Sequence, residues 1–272
     1  MDSCCKNKPV LLPIVDIVDE NPHVKTFWFE YDLNSDPGQF VMLWVPGLDQ
    51  KPFSIAYDTA DRFGLSIFAV GPLSSKLFEM NIGDRVGITG PYGKGYSIQE
   101  GKHYITISGG YGAGPSGLLA ERLAEKNTQV DFCVGARTAD LLLFEERVLS
   151  LPHVTVHVST NDGSKGHKGY VTELVRQILD KTEDKSSVIL TACGPELMEK
   201  AVLDLANEYD TEAELSIERY MKCGFGVCGQ CCVDPLGLTM CVDGPVVDRA
   251  TANQLTEFGT YHRDKAGIKH DY

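Results

Sequence analysis

The sequence predicts an antiparallel β-barrel, then an α/β domain on a parallel sheet, then a small cysteine-rich module. Three observations predict this order. From about residue 9 to 98, short β-type runs are cut by Gly, Pro and Asp turns, with no long helix. Past Lys102, apolar strands alternate with helical periods. Near the C-terminus, five of the nine cysteines fall between positions 223 and 241. The expected units are residues 1–98, 99–212 and 213–272.

In the first unit the candidate strands are Leu11 to Asp16, Val24 to Tyr31, Gln39 to Val45, Phe53 to Tyr57, Arg62 to Val70 and Arg85 to Thr89. Turns such as Asp36-Pro37-Gly38 and Gly90-Pro91-Tyr92-Gly93 separate them. One short helix is expected at Ser74 to Met80. In the second unit, strands at Tyr104 to Ser108, Gln129 to Gly135, Val154 to Ser159 and Ser187 to Thr191 alternate with helices. Those helices are expected at Leu118 to Glu125, Ala139 to Leu149, Tyr170 to Asp180 and Pro195 to Tyr209. A last strand, Ala213 to Ile217, leads into the cysteines.

A chain of 272 residues, 43% hydrophobic and 23% charged, can bury a full core. Its formal net charge of -13 offers nothing to a nucleic-acid backbone. No apolar run approaches the roughly 20 residues of a membrane span, so a cytoplasmic protein is expected. Cys4 and Cys5 are expected to carry no chemistry.

Cys223, Cys228, Cys231 and Cys241 give C-x4-C-x2-C-x9-C, the spacing of a plant-type [2Fe-2S] centre. Gly224, Gly226 and Gly229 let the backbone bring N–H groups close to the sulfurs. Cys232 is an alternative third ligand. A structural zinc site is the rival reading, although zinc ribbons usually carry two C-x2-C pairs. Disulfides rank last, since nine is odd and no secretory leader pattern is present.

Gly112-Ala-Gly-Pro-Ser-Gly117 matches G-x-G-x-x-G between a strand and a helix, where backbone N–H groups can receive a pyrophosphate. The acid expected about 20 positions on is displaced, because Asp131 falls inside the second strand. Cys193-Gly-Pro lies where a later strand ends and a helix begins. Cys193 there faces either the ligand crevice or the core. Lys51-Pro-Phe-Ser-Ile is by itself an ordinary strand in which Lys51 can meet a phosphate and Ser54 a ring nitrogen. His153, His157 and His167 have no metal-site spacing.

Together these segments resemble the ferredoxin-NADP reductase superfamily. Lys51-Pro-Phe-Ser-Ile stands for its R-P-x-S flavin motif, Gly109 to Pro115 for G-G-x-G-x-x-P, and Cys193-Gly-Pro for C-G-P. Glu218 to Cys231, followed by Cys241-Val-Asp-Gly-Pro245, is similar to the electron-transfer subunits of NAD-dependent dihydroorotate dehydrogenases. Gly90 to Tyr96 is similar to the G-P-L-G-x-G-F turn of those subunits. Three departures stand out: Lys51 replaces an arginine fork by a point charge, Val70-Gly-Pro-Leu-Ser-Ser75 replaces V-G-x-G-T, and Val246-Val247 stands where an aromatic is frequent.

The resemblance implies FAD, a [2Fe-2S] cluster and NAD. Lys51, Pro52, Phe53 and Ser54 would hold the flavin, with Gly71, Ser74, Ser75, Gly90 and Gly93 near its pyrophosphate. Gly110, Gly112 and Gly114 would receive NAD, with Ser54 and Cys193 at the reacting rings and Cys223, Cys228, Cys231 and Cys241 on iron. A nicotinamide exchanges two electrons and a [2Fe-2S] cluster one, which requires a flavin between them. The implied partner is an FMN-containing dihydroorotate dehydrogenase catalytic subunit, in a heterotetramer serving pyrimidine biosynthesis. The alternatives are a reductase subunit of a sulfhydrogenase or of a NAD(P)H-ferredoxin transhydrogenase complex, and a non-enzymatic zinc-bound module. The choice between NAD and NADP is open, with Arg137 able to touch a 2'-phosphate.

Overall fold

The computed structural model describes residues 7–272, and Cys4 and Cys5 lie outside the described residues. The chain begins with β1 (Val10–Pro13), β2 (Asp16–Asn21), β3 (Val24–Glu30), β4 (Phe40–Val45), β5 (Asp49–Ser54), β6 (Tyr57–Asp58) and β7 (Arg62–Phe68). Helix α1 (Pro72–Phe78) and β8 (Arg85–Tyr92) follow. Two antiparallel four-stranded sheets, β1-β8-β4-β5 and β2-β3-β7-β6, enclose one core that includes Phe27, Phe29, Leu43, Phe63 and Leu65. Leu73 and Leu77 of α1 are buried in the same core.

The expected strand Leu11 to Asp16 is two strands. The Ile14 N–H donates to the Asp84 carbonyl, whereas the Val15 N–H donates to that of Trp28. Between those two residues the chain crosses from one sheet to the other, which makes the barrel corner.

The second unit runs β9 (His103–Gly109), α2 (Ala113–Glu125), β10 (Gln129–Ala136), α3 (Glu145–Leu149), β11 (Val154–Thr160), β12 (His167–Lys168), α4 (Val171–Lys181), β13 (Val188–Cys193), α5 (Glu196–Tyr209) and β14 (Glu212–Ser216). The helix expected from Ala139 to Leu149 is only α3, because Phe144 takes φ +62° and ends the extended stretch before it. Its ring is turned edge-on to Tyr57 of the barrel, 5.8 Å away. Helix α2 begins at Ala113 rather than Leu118, so Gly114 and Gly117 lie within it.

The last segment is built from strands too short to show a period. These are β15 (Cys232–Val233), β16 (Leu238–Thr239), β17 (Val246–Asp248), a four-residue helix α6 (Arg249–Ala252), and the hairpin β18 (Tyr261–Arg263) with β19 (Lys269–Asp271). The large sheet has the order β12-β11-β10-β9-β13-β14-β17. It is parallel except for β17, which pairs antiparallel to β14. The segment carrying the cysteines is thereby hydrogen-bonded into the sheet of the preceding unit, and Cys231, Met240 and Cys241 share a core with Leu190 and Leu215.

Candidate functional site

The strand expected to bind flavin is β5, the edge strand of its sheet. Pro52, which has no N–H to give, is tolerated in such a strand. Phe53 is half-buried and Ser54 is exposed at the strand's end. The Lys51 ammonium pairs with Asp49 at 2.8 Å and donates to the Tyr220 hydroxyl at 2.8 Å. Gly71 is the N-cap of α1. The Ser74 hydroxyl accepts from the Val70 and Gly71 N–H groups, both at 3.0 Å, and is buried there. Its capacity is spent on the helix end, while Ser75 is exposed on the first turn. Val70 is 77% exposed, and nearby the ring of Phe68 lies 6.3 Å from that of Tyr111. Such uncovered apolar surface is what a planar ring system would cover.

At the carboxyl edge of the large sheet, the glycine loop and the Cys193 turn press together. A Cβ on Gly112 would come within 2.2 Å of the Cys193 carbonyl oxygen, and one on Gly114 within 2.9 Å of Ala56 Cβ in the barrel. Gly110, at φ +56°, has open space around it. Of the three glycines expected at the nucleotide, two are required by contacts inside the protein and one faces free volume. Helix α2, thirteen residues long, starts directly behind them, and its first N–H groups suit a pyrophosphate. Cys193 is 8% exposed. Burial first, and then the neighbouring Glu199 carboxyl, push its thiol well above the usual range, so it stays protonated.

The cysteine loop runs exposed from Phe225 to Gly229, with Cys228 exposed and Cys231 and Cys241 buried. Positive φ at Gly224, Gly226 and Gly229 turns backbone N–H groups inward. The Gly226 N–H donates to Cys241 Sγ at 3.2 Å and the Cys241 N–H to Cys231 Sγ at 3.4 Å. Burial raises the Cys223 thiol, but N–H donors of Cys228, Phe225 and Val227 and the Cys228 thiol outweigh it and bring it to about 6. Cys241 is pushed up to about 12 by burial and by its hydrogen-bonded neighbour Cys231. The thiols fall into two pairs, Cys223 with Cys228 and Cys231 with Cys241, and Cys223 in turn acts on Cys241. Among the described residues no three His, Cys, Asp or Glu side chains are arranged to hold a single metal ion. Two thiol pairs supplied with N–H donors fit a two-iron cluster. Cys232 directs its thiol to the Gly237 carbonyl, 3.7 Å away.

The loop is seated on the barrel. A Cβ on Gly224 would meet Met42 Cγ at 2.5 Å, and the Phe225 ring lies 6.2 Å from that of Tyr92. Gly93, expected at the flavin, instead abuts the Gly244-Pro245 turn, where a Cβ would lie 2.6 Å from Pro245 Cδ. Gly90 takes φ +124° against the Phe40 carbonyl.

Three features escaped the sequence reading. Tyr220 receives Lys51, and the Tyr111 hydroxyl donates to Glu218 at 3.2 Å. Arg219, 6% exposed, is held between Glu257 at 2.7 Å and Glu196 at 2.5 Å, and the hydroxyl of Tyr272 donates to Glu196 at 2.7 Å. This buried network ties the helix after Cys193 to the segment entering the cysteine loop. The third concerns Asp131, whose carboxylate accepts from His103 and His157, both at 2.6 Å. A run of three ionisable or aromatic residues, Glu218-Arg-Tyr220, placed just before a cysteine loop was the available signal for the first two.

Comparison with known proteins shows the family. A family profile described as "Iron-sulfur cluster binding domain of dihydroorotate dehydrogenase B" matches residues 218–252, and one described as "Oxidoreductase NAD-binding domain" matches residues 106–204. A protein of Methanocaldococcus jannaschii described as "Probable dihydroorotate dehydrogenase B (NAD(+)), electron transfer subunit" is 42% identical over 262 residues, covering 96% of this chain and 98% of its own. One of Methanothermobacter thermautotrophicus with the same description is 41% identical over 271 residues, covering 98% of each. Among solved structures, that of an NADH-dependent reduced ferredoxin-NADP oxidoreductase, studied for flavin-based electron bifurcation, superposes with TM-score 0.79 at 27% identity over 90% of each chain. The cytochrome b5 reductase domain of Ulva prolifera nitrate reductase shares the fold, with TM-score 0.63 at 17% identity over 75% of this chain and 94% of its own. The chain belongs to the family of electron transfer subunits of NAD-dependent dihydroorotate dehydrogenase B.

Proposed function

We propose that this chain carries electrons from an FMN-containing, dihydroorotate-oxidising catalytic subunit to NAD+ in pyrimidine biosynthesis, using a [2Fe-2S] cluster and FAD. The observation that carries this reading is the seating of the cysteine loop on the barrel at Gly224 and Met42, while the nucleotide loop presses on Cys193. Cluster loop, flavin strand and nucleotide loop thus belong to one packed body. When bound, the flavin exchanges hydride with the nicotinamide and single electrons with the cluster.

The residues of the chain bind, orient and exclude water. Cys223 with Cys228 and Cys231 with Cys241 would hold the cluster, and the N–H groups around them stabilise added charge. Lys51, Pro52, Phe53 and Ser54 would hold the flavin on the open edge of β5, with Gly71, Ser75 and Gly90 framing its phosphates, while Ser74, spent on the helix end, and Gly93, packed on Pro245, would shape that frame from behind. Gly110 and the start of α2 would receive the NAD pyrophosphate, with Gly112 and Gly114 setting the loop against Cys193 and the barrel. Cys193, protonated and buried, offers a neutral wall to the nicotinamide.

Phe225 at 39% and Val227 at 75% exposure lie on the loop with the exposed Cys228, and Val242, at 47%, lies against Gly226 of the same loop. This apolar rim would meet the catalytic subunit, in a heterotetramer of two of each chain in the cytoplasm. Among the described residues no helix is long and apolar enough to cross a membrane.

Co-expression with the catalytic subunit tests the reading by dihydroorotate-dependent reduction of NAD+. Cys228→Ser should abolish cluster absorption and that activity while leaving flavin reduction by NADH intact; equal loss of both contradicts the proposed route. The likeness to the bifurcating oxidoreductase favours a second reading, a reductase subunit of a transhydrogenase complex. An assembly active without dihydroorotate and inert with it would select that reading.

A further inference from the structure

We propose that Glu199 supplies, through Cys193, the proton that must accompany electrons reaching the flavin from the cluster. The inference rests on the electron route proposed above. Electrons leave a [2Fe-2S] cluster one at a time and without protons, whereas each NAD+ takes a hydride, which is one proton and two electrons. The step at the flavin is therefore uptake of two electrons from the cluster and one proton from the protein, and then loss of all three to NAD+ as hydride. In the reverse direction NADH brings its own proton with the electron pair, and no donor is needed.

Glu199 lies in the first turn of α5 and is 1% exposed. Its Oε1 accepts the Gly194 N–H at 3.2 Å, in the turn that joins Cys193 to the helix. No cation among the described residues pairs with it, since Arg219 is held by Glu196 and Glu257. A buried carboxyl without a cation keeps its proton, because an unpaired charge away from water is costly. Burial, the largest influence, outweighs the Gly194 N–H and, with the Glu196 and Glu218 carboxyls, pushes Glu199 well above the usual carboxylate range. Asp58, also buried without an ion pair, lies in the barrel and accepts from the Ser35 N–H and hydroxyl, each at 2.6 Å.

The Glu199 carboxyl is close enough to Cys193 to raise its thiol, and Cys193, 8% exposed against 1%, is the more open of the two. A protonated thiol passes a proton on as it receives one, so it relays without having to ionise first. The other protic groups that act on Cys193 are poorer sources. The Tyr96 hydroxyl is buried and donates to the Ala192 carbonyl at 2.8 Å. Ser216 carries an alcohol, far too weak an acid for the task. Glu218 is exposed and accepts from the Tyr111 hydroxyl at 3.2 Å. Because it acts on both Glu199 and Cys193, Glu218 is the group through which solvent can return a proton to the buried acid.

The test compares the two directions in the holoprotein assembled with its catalytic subunit. Glu199→Gln, close in shape but without an acidic proton, should slow single-turnover flavin reduction by dihydroorotate about tenfold or more, since a positioned proton donor contributes about a hundredfold or more. It should leave flavin reduction by NADH within about twofold. Glu199→Asp, which keeps the acid, should fall between. A second readout needs no turnover: the infrared difference spectrum of the oxidised holoprotein, parent minus Glu199→Gln, should contain the carbonyl band of a protonated carboxylic acid. A carboxylate band in its place overturns the inference. So does an equal loss in both directions, which would make Glu199 a support of the nucleotide turn, and so does no loss in either. No flavin reduction by dihydroorotate in the parent assembly would overturn the proposed electron route, and the inference with it.

Discussion

The Lys51 ammonium lies 4.7 Å from the Tyr220 ring centroid and donates to its hydroxyl at 2.8 Å, so a cation on the flavin strand is held by the segment that enters the cysteine loop. The two residues are 169 positions apart in the chain. Desolvation lowers the Lys51 pKa, but Asp49 and Tyr220 outweigh it, and the ammonium stays charged where a phosphate would need it.

Lys51→Met should weaken flavin retention, read as the flavin-to-protein ratio after gel filtration, by about tenfold in affinity. Stability should change by less than about 1 kcal/mol, because the pair with Asp49 is well exposed. Lys51→Arg should retain the flavin. A variant methionine protein that keeps full flavin would remove Lys51 from the site.

Gly224 and Gly229 both take positive φ, yet they differ in surroundings: a Cβ at Gly224 meets Met42 at 2.5 Å, and one at Gly229 only Cys232 Sγ at 3.8 Å. Gly224→Ala should cost more than about 2 kcal/mol in urea unfolding and lower the iron content. Gly229→Ala should cost about 1 kcal/mol. Equal effects would mean that backbone strain alone, and not the seat on the barrel, sets the cost.

Breaking the Glu196, Arg219 and Glu257 network should be severe. Arg219→Met leaves two buried carboxylates without their cation and should cost about 3–5 kcal/mol in thermal or urea unfolding. Adding Glu196→Gln and Glu257→Gln to it should recover part of that loss, since the uncompensated charges are then gone. No recovery would indicate that the network acts by shape rather than by charge balance.

Acid should weaken the protein through Asp131. Burial alone would raise this carboxyl, but the hydrogen bonds from His103 and His157 outweigh it and hold it well below the usual carboxylate range. A depressed folded value means that the stabilisation is fully present above the unfolded value of about 3.9, and is lost as pH falls from there toward the folded value. Asp131→Asn should therefore be less stable than the parent at pH 6, with the gap narrowing below about pH 4. A gap independent of pH would rule out the linkage.

The order of barrel, α/β unit and cysteine loop was legible because each has its own period or spacing, and because Gly, Pro and Asp turns mark the joins. Long-range chemistry was not. Nothing local tells that Asp131 will be claimed by histidines from both flanking strands, or that Gly112 is needed by Cys193 and Gly114 by Ala56. Phe144 ended an expected helix because its ring is wanted at Tyr57, a tertiary demand that overrides helical propensity. The strands of two or three residues, β6, β12 and β15 to β19, are too short to carry any alternation.

The antiparallel pairing of β17 with β14 makes the cysteine segment a poor cassette for protein engineering. Leu215 and Ser216 face Val247 and Val246 across that ladder, so a chimera joined at residue 212 would have to rebuild a sheet edge as well as graft a cofactor loop. Electron-transfer fusions built from this chain should take the barrel, the α/β unit and the cysteine segment from one parent, since Gly224 sits on Met42 and Gly93 on Pro245.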